Sequence, residues 1–192
     1  MGNTQWHLNY QKALTQMIHT FAHEGKLLLC GNGGSAADCG HIVGELAKGF
    51  RKKRPMPSAF LQEMKEPWAE KLQQGLPAMD LTVNGPLISA VSNDIDSCSV
   101  YAQQVVAYGK KGDILLGIST SGNAENVLRA MKTARALGLY TIALTGKTGG
   151  KLADHCDVLL NVEEEETYLV QQAHLIVYHQ LCMDIEKAFF EE

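Results

Sequence analysis

His41 and Glu45 stand four residues apart. On a helix that spacing puts both side chains on one face, where an imidazole and a carboxylate can share a metal ion or act together as orienter and base. Ordinary surface pairs use the same spacing, so their meaning depends on where they stand. They follow Gly31-Asn32-Gly33-Gly34-Ser35, a glycine-rich turn whose backbone can approach a ligand closely, with Ser35 suited to cap the coming helix. A second turn, Ser119-Thr120-Ser121-Gly122-Asn123, offers three successive hydroxyls and free backbone N–H groups, which is chemistry for a phosphate. Near the C-terminus, Gln171, His174 and His179 interrupt an otherwise apolar helical stretch. Gln171 and His179 are roughly 12 Å apart along a helix, so they reach one ion only by leaning toward each other.

These groups need elements to hold them. Apolar runs at 26–30, 76–83, 113–118, 140–144 and 157–162 predict buried strands. Helical spacing predicts helices over 8–23, 36–50, 84–92, 96–107, 124–137 (with Gly138 as C-cap), 151–155 and 167–190. Asn93 and Asp94 fall in a polar turn. The repeated β-α-β order calls for a parallel sheet covered by helices, an α/β protein. Both candidate turns then lie between a strand's carboxyl end and a helix's amino end, where open parallel sheets bind ligands. Residues 56–75 predict a helical insertion, a lid or interface piece. Phe60, Leu61, Met64, Trp68 and Leu72 line one side of it, and Trp68 is assigned a packing role. The basic run 51–54 before Pro55 predicts a solvated face, suited also to neutralising a sugar phosphate or meeting another subunit.

The bulk numbers narrow the class. A chain of 192 residues suits one domain over 1–192. A net charge of −4 gives no electrostatic case for nucleic acid or an anionic membrane surface, and the apolar runs are too short to span a bilayer. The five cysteines, at 30, 39, 98, 156 and 182, form no CxxC pair. With no signal peptide evident, they read as free thiols in a cytoplasmic protein.

Together these segments resemble the sugar isomerase (SIS) domain family, and within it the phosphoheptose isomerases. The resemblance rests on CGNGGSAADCGHIVGEL at 30–46, SND at 92–94, GDILLGISTSGNAENV at 112–127, IALTGKTGGKLAD at 142–154 and QxxHLxxxH at 171–179. It implies a three-layer α/β/α sandwich with a flavodoxin-like sheet, and a homotetramer with active sites at subunit interfaces. It also implies a zinc ion held by His41, Glu45, Gln171 and His179. Substrate contacts would come from Asn32, Gly33, Gly34, Glu45, Asn93, Asp94, Ser119, Thr120, Ser121 and Gln171. Glu45 and His179 match the acid/base catalysts, and the implied reaction is sedoheptulose 7-phosphate to a heptose 7-phosphate.

Ketose–aldose interconversion moves a proton between C1 and C2 through an enediol, work suited to a carboxylate and an imidazole. Three positions depart from the family pattern: Ala124 stands in place of a substrate-binding serine, Gly49 in place of a frequent arginine, and Tyr168 in place of a frequent acid. They put the sugar in question more than the reaction. The rival reading is a non-catalytic SIS protein: one that binds a replication initiator, or a sugar-phosphate sensor. Retention of Glu45 and His179 separates the enzyme from the initiator-binding relatives, which lack the carboxylate.

Overall fold

The structure, a computed structural model, describes residues 4–190. Its sheet has five parallel strands: β1 (Leu27–Gly31), β2 (Ala78–Asp80), β3 (Ile114–Ser119), β4 (Tyr140–Thr145) and β5 (Val158–Asn161). Their spatial order is β2-β1-β3-β4-β5, the flavodoxin-like order. β1 pairs with β3 from Leu27↔Ile114 to Gly31↔Ile118. The chain runs outward from β1 to β2, then returns past β1 to β3. Strand order therefore reverses between β1 and β3, and the loops leaving Gly31 and Ser119 flank the crevice where such sheets bind ligands.

Seven α-helices accompany the sheet among the described residues: α1 (Thr4–Ala22), α2 (Gly34–Ala47), α3 (Ser58–Met64), α4 (Gly85–Val91), α5 (Val100–Tyr108), α6 (Glu125–Ala136) and α7 (Thr167–Phe190). Strand pleating sorts the layers. Leu27 and Leu29, with Ile114, Leu116 and Ile118, pack with Met17 of α1, Ile42 and Leu46 of α2, and Tyr178 and Leu181 of α7. Leu28, Cys30 and Leu115 point the other way, into a cluster with Val105 of α5 and Val127 and Met131 of α6. A strand covered on both faces has no polar side to alternate, which is why these segments read as unbroken apolar runs. As expected, Gly138 follows α6 with φ 79, a left-handed C-terminal stop.

Several expectations are revised. Ser35 does not cap α2. Gly33, at φ 54, makes the turn, no side chain caps the helix, and Ser35 lies buried inside the first turn. Asn93 and Asp94 do not form a free turn. Ser92–Asp96 is a π-helical turn that continues α4, and Ser97–Ser99 is a 3-10 turn leading into α5. The strand expected over 76–83 contracts to three residues, because the Thr82 N–H donates to Asp80 Oδ1 at 2.8 Å and turns the chain.

The insertion is helical only in pieces. Lys65 takes φ 53 and stops α3, and Pro67 starts a separate 3-10 turn, Pro67–Lys71. The five apolar residues therefore share no continuous helical face, and Trp68 remains 50% exposed instead of packed. The excursion closes at its base. Pro55 bridges to Gln73, the Gln74 N–H donates to Arg54 O at 2.7 Å, and the Arg54 N–H donates to Gln73 Oε1 at 3.1 Å. Arg54 also corrects the solvated reading of the basic run, since it is 1% exposed. No helix among the described residues is long and apolar enough to cross a membrane.

Candidate active site

Three loop segments meet at the crevice. Asn32, just beyond β1, exchanges reciprocal amide hydrogen bonds with Asn126 of α6, each 2.9 Å. The Tyr101 hydroxyl donates to Gly31 O at 2.6 Å, holding the same turn from α5. Arg129 of α6 pairs with Asp96 and donates to Ser99 Oγ at 3.1 Å, which ties the π-helical segment to the same helix. The hydroxyl turn between β3 and α6 is braced from within: the Gly122 N–H donates to Ser119 O at 3.0 Å and the Gly146 N–H donates to Thr120 O at 2.9 Å. Asn32, Ser35, Ser119, Thr120, Ser121 and Ala124 line a cavity of about 170 Å³ there. Its charge environment is not wholly positive. Glu125 sits in the first turn of α6, with its carboxylate held by Arg129 Nε at 3.0 Å.

Farther along α2 the candidate acid/base groups converge. His41 Nε2 lies 3.2 Å from Glu45 Oε1 and 3.3 Å from His179 Nε2. These two separations match the spacing of neighbouring ligands around a tetrahedral ion bound at ~2.05 Å, about 3.3 Å, and all three ligand atoms lie within 4.8 Å of one another. Two imidazoles and a carboxylate also form a donor set that leaves a fourth position open, as catalytic zinc sites do. The residues therefore fit the implied zinc. His41 is half exposed and Glu45 is mostly covered. The ring of Phe50 lies 5.4 Å from that of His179.

Two supports hold this cluster. On one side, His41 Nδ1 is 2.9 Å from the Tyr178 hydroxyl, which is 3.2 Å from Asp38 Oδ1. Burial pushes the Asp38 carboxyl up, against the lowering effects of Tyr178 and His41. On the other side, Arg54 satisfies the last carbonyls of α2, donating to Leu46 O at 2.8 Å and Glu45 O at 3.1 Å. Glu186 on α7 pairs with Arg54 at 2.9 Å and accepts the Phe50 and Arg51 N–H groups, each at 2.9 Å. Burial raises the Glu186 carboxyl, but those N–H donors and the guanidinium outweigh it and hold the group below its ordinary value.

His41, Glu45 and His179 of the expected metal ligands come together, and the Gln171 amide rests where a Cβ on Gly34 would lie, seven residues before His41 on α2. Gly33 and Gly34 form the turn at the head of α2, and Asn93 and Asp94 are exposed on the π-helical segment, with Asn93 Nδ2 donating to Asp94 Oδ1 at 2.7 Å. His174 does not join the cluster. It is fully buried and neither ring nitrogen has a hydrogen-bond partner. Sequence reasoning missed Asp38, Arg54 and Glu186. Asp38 had a signal, since it stands three residues before His41 on the same helix face. The Arg54–Glu186 pair had none, its members being 132 residues apart.

Comparison with known proteins places the chain in a family. The family model described as "SIS domain" matches residues 69–146. The phosphoheptose isomerase of Roseiflexus sp. is 41% identical over 92% of this chain and 80% of its own length. That of Clostridium acetobutylicum is 40% identical over 95% of this chain and 83% of its own. The solved phosphoheptose isomerase from Neisseria gonorrhoeae superposes with a TM-score of 0.78 at 36% identity, covering 93% of this chain and 85% of that one. With its flavodoxin-like strand order, hydroxyl turn and His-Glu-His cluster, the chain belongs to the phosphoheptose isomerase family of SIS-domain proteins.

Proposed function

We propose that this aldose–ketose isomerase interconverts sedoheptulose 7-phosphate and D-glycero-D-manno-heptose 7-phosphate through an enediol. The observation that carries the reading is the convergence of His41, Glu45 and His179 on the helix that begins at the candidate phosphate cavity. Ser35 lines that cavity, and His41 lies six residues on, about 9 Å along the helix. A sugar phosphate laid along α2 would thus have its phosphate at the hydroxyl turn and its carbonyl at the cluster.

Ser119, Thr120 and Ser121 with the neighbouring N–H groups hold the phosphate, and this remote binding orients the reacting end. Gln171, Asn93 and Asp94 supply hydrogen bonds to the sugar hydroxyls, so Gln171 serves the sugar in this arrangement. Glu45 turns Oε1 toward His41 and leaves its other oxygen to take the C1 proton of the ketose and return it to C2. His179 moves a proton from O1 to O2 when it is off the metal, because one imidazole nitrogen cannot ligate zinc and shuttle a proton at the same time. Zinc held by His41, Glu45 and His179 would supply Lewis-acid polarisation of the carbonyl. A homotetramer with sites at subunit interfaces is part of the same proposal. It is supported by the half-exposed His41 and by apolar side chains exposed on α7, Leu175 and Ile176 one turn before His179 and Tyr168 at the start of the helix.

The test is NMR of sedoheptulose 7-phosphate with the zinc-loaded protein in deuterated solvent. An aldoheptose phosphate carrying deuterium at C2 supports the enediol route. Substrate that binds without turnover returns the protein to the non-catalytic reading. Failure to bind assigns it to another sugar phosphate.

A further inference from the structure

We propose that Tyr178 is a positioning residue that fixes the tautomer of His41, carrying the orienting effect of Asp38 to the imidazole and turning the Nε2 lone pair into the site. The proposal rests on the metal-assisted isomerase reading for its consequence, and on hydrogen-bond geometry for its substance.

The Tyr178 hydroxyl has one proton and two neighbours, His41 Nδ1 at 2.9 Å and Asp38 Oδ1 at 3.2 Å. Asp38 is half-buried on the first two turns of α2, and its other oxygen, Oδ2, is buried with no hydrogen-bond partner. Among the described residues the phenol is the one hydrogen-bond donor to this carboxylate. With Asp38 ionised, giving the Tyr178 proton to His41 would leave a half-buried carboxylate without any donor, an unsatisfied charged acceptor. The proton therefore goes to Asp38, and the tyrosine oxygen is left as an acceptor. His41 must then carry its hydrogen on Nδ1 and donate it to Tyr178.

On the opposite side of the ring, His41 Nε2 lies 3.3 Å from His179 Nε2 and 3.2 Å from Glu45 Oε1. In the metal-free protein an Nε2 lone pair accepts from His179 Nε2–H, against the pull of the Glu45 carboxylate toward an Nε2–H form, and with a cation bound the same lone pair completes its donor set. Ring orientation is fixed as well. The His41 and Tyr178 rings meet at 74° with centroids 5.5 Å apart, and Tyr178 itself is 1% exposed. A phenol anchored in the core is thus interposed where a histidine ligand ordinarily meets its carboxylate directly. The arrangement lets Asp38 act on His41 from the same helix without touching it.

Two readouts test this apart from turnover. In the metal-free protein, long-range 1H–15N spectra of His41 report which ring nitrogen bears hydrogen. Wild type is expected to show the Nδ1–H form, and Tyr178→Phe a mixture. In competition with a chromogenic chelator, zinc affinity is expected to fall 10- to 100-fold in Tyr178→Phe and in Asp38→Ala. Asp38→Asn, which keeps an acceptor oxygen, is expected to restore most of it. With the phosphosugar, kcat should fall while KM stays within twofold. An Nε2–H tautomer in wild type overturns the proposal, as does a Tyr178→Phe protein with unchanged tautomer and zinc affinity. A wild type that binds no zinc yet shows the Nδ1–H form refutes the metal reading and leaves the tautomer assignment standing. Far-UV circular dichroism and melting of each variant separate these effects from misfolding.

Discussion

At the scale of single residues, the proposed reaction depends on how Glu45 divides its two oxygens. Oε1 faces His41 and the covered carboxylate has the reach to serve as base. Glu45→Gln is expected to keep the fold and phosphosugar binding while turnover falls by about 10²–10⁴-fold, the range typical of a lost general base. Wild-type rates would remove Glu45 from the mechanism. Such residues were legible because their chemistry is local in sequence: His41 and Glu45 share one helix face, and the three hydroxyls of 119–121 are consecutive. Asp38, Arg54 and Glu186 were harder to see. Arg54 looked like one member of an exposed basic run, and only its pairing with Glu186 on a distant helix explains why a guanidinium is buried. Breaking that pair by Arg54→Met leaves Glu186 buried and unpaired, and is expected to cost about 3–5 kcal/mol in denaturant unfolding. The double variant Arg54→Met/Glu186→Leu should recover much of the loss. Because the folded Glu186 carboxyl sits below its ordinary value, the pair's contribution is present above the normal carboxylate range. It is lost as pH falls through that lower value.

At the scale of elements, the strands and long helices followed from apolar spacing, and their ends did not. α6 shows why. It begins after Ala124, whose φ −63 and ψ 115 suit a capping residue but whose side chain offers no acceptor. Ala124→Ser is expected to stabilise the protein by ~1 kcal/mol through the missing cap. The added hydroxyl faces the phosphate cavity, so KM for the phosphosugar should also fall. A variant with unchanged melting temperature and KM would show that this helix start needs no cap. The insertion taught the opposite lesson about pattern. Five apolar residues at helical spacing did not make one helix, because Pro67 breaks the run and forces Glu66 into an extended conformation. The π-helical turn at Ser92–Asp96 was equally invisible, and the contact that ties its end to the fold, Arg129 with Asp96, joins residues 33 positions apart.

Across the whole molecule, a parallel sheet covered by helices followed from the β-α-β rhythm and the three-layer arrangement from the family resemblance, whereas the interior polar groups could not be inferred. His174 is the clearest case. Burial, with no hydrogen bond of good geometry to either ring nitrogen, pushes its imidazole down to about 4. An unfolded histidine titrates near 6.5, so between about pH 6.5 and 4 the unfolded chain binds a proton the folded one refuses. Stability should therefore drop by about 3 kcal/mol as pH falls through that window. His174→Leu is expected to flatten this part of the stability–pH curve, and an unchanged slope in that variant would assign the acid sensitivity elsewhere.

The neck of the excursion has a consequence for how such a chain can change over time. Residues 56–72 leave and rejoin the body at neighbouring points, where Pro55 meets Gln73 and Arg54 meets Gln74. Loop-closure entropy grows only slowly with length, so a segment with adjoining ends behaves as a parenthesis in the fold. Its text can be shortened, extended or rewritten without moving the sentence around it. The arginine that closes this parenthesis is the one that finishes α2, so the chemistry is insulated from drift in the excursion. Selection can thus remodel the excursion while the proposed acid/base groups stay in place.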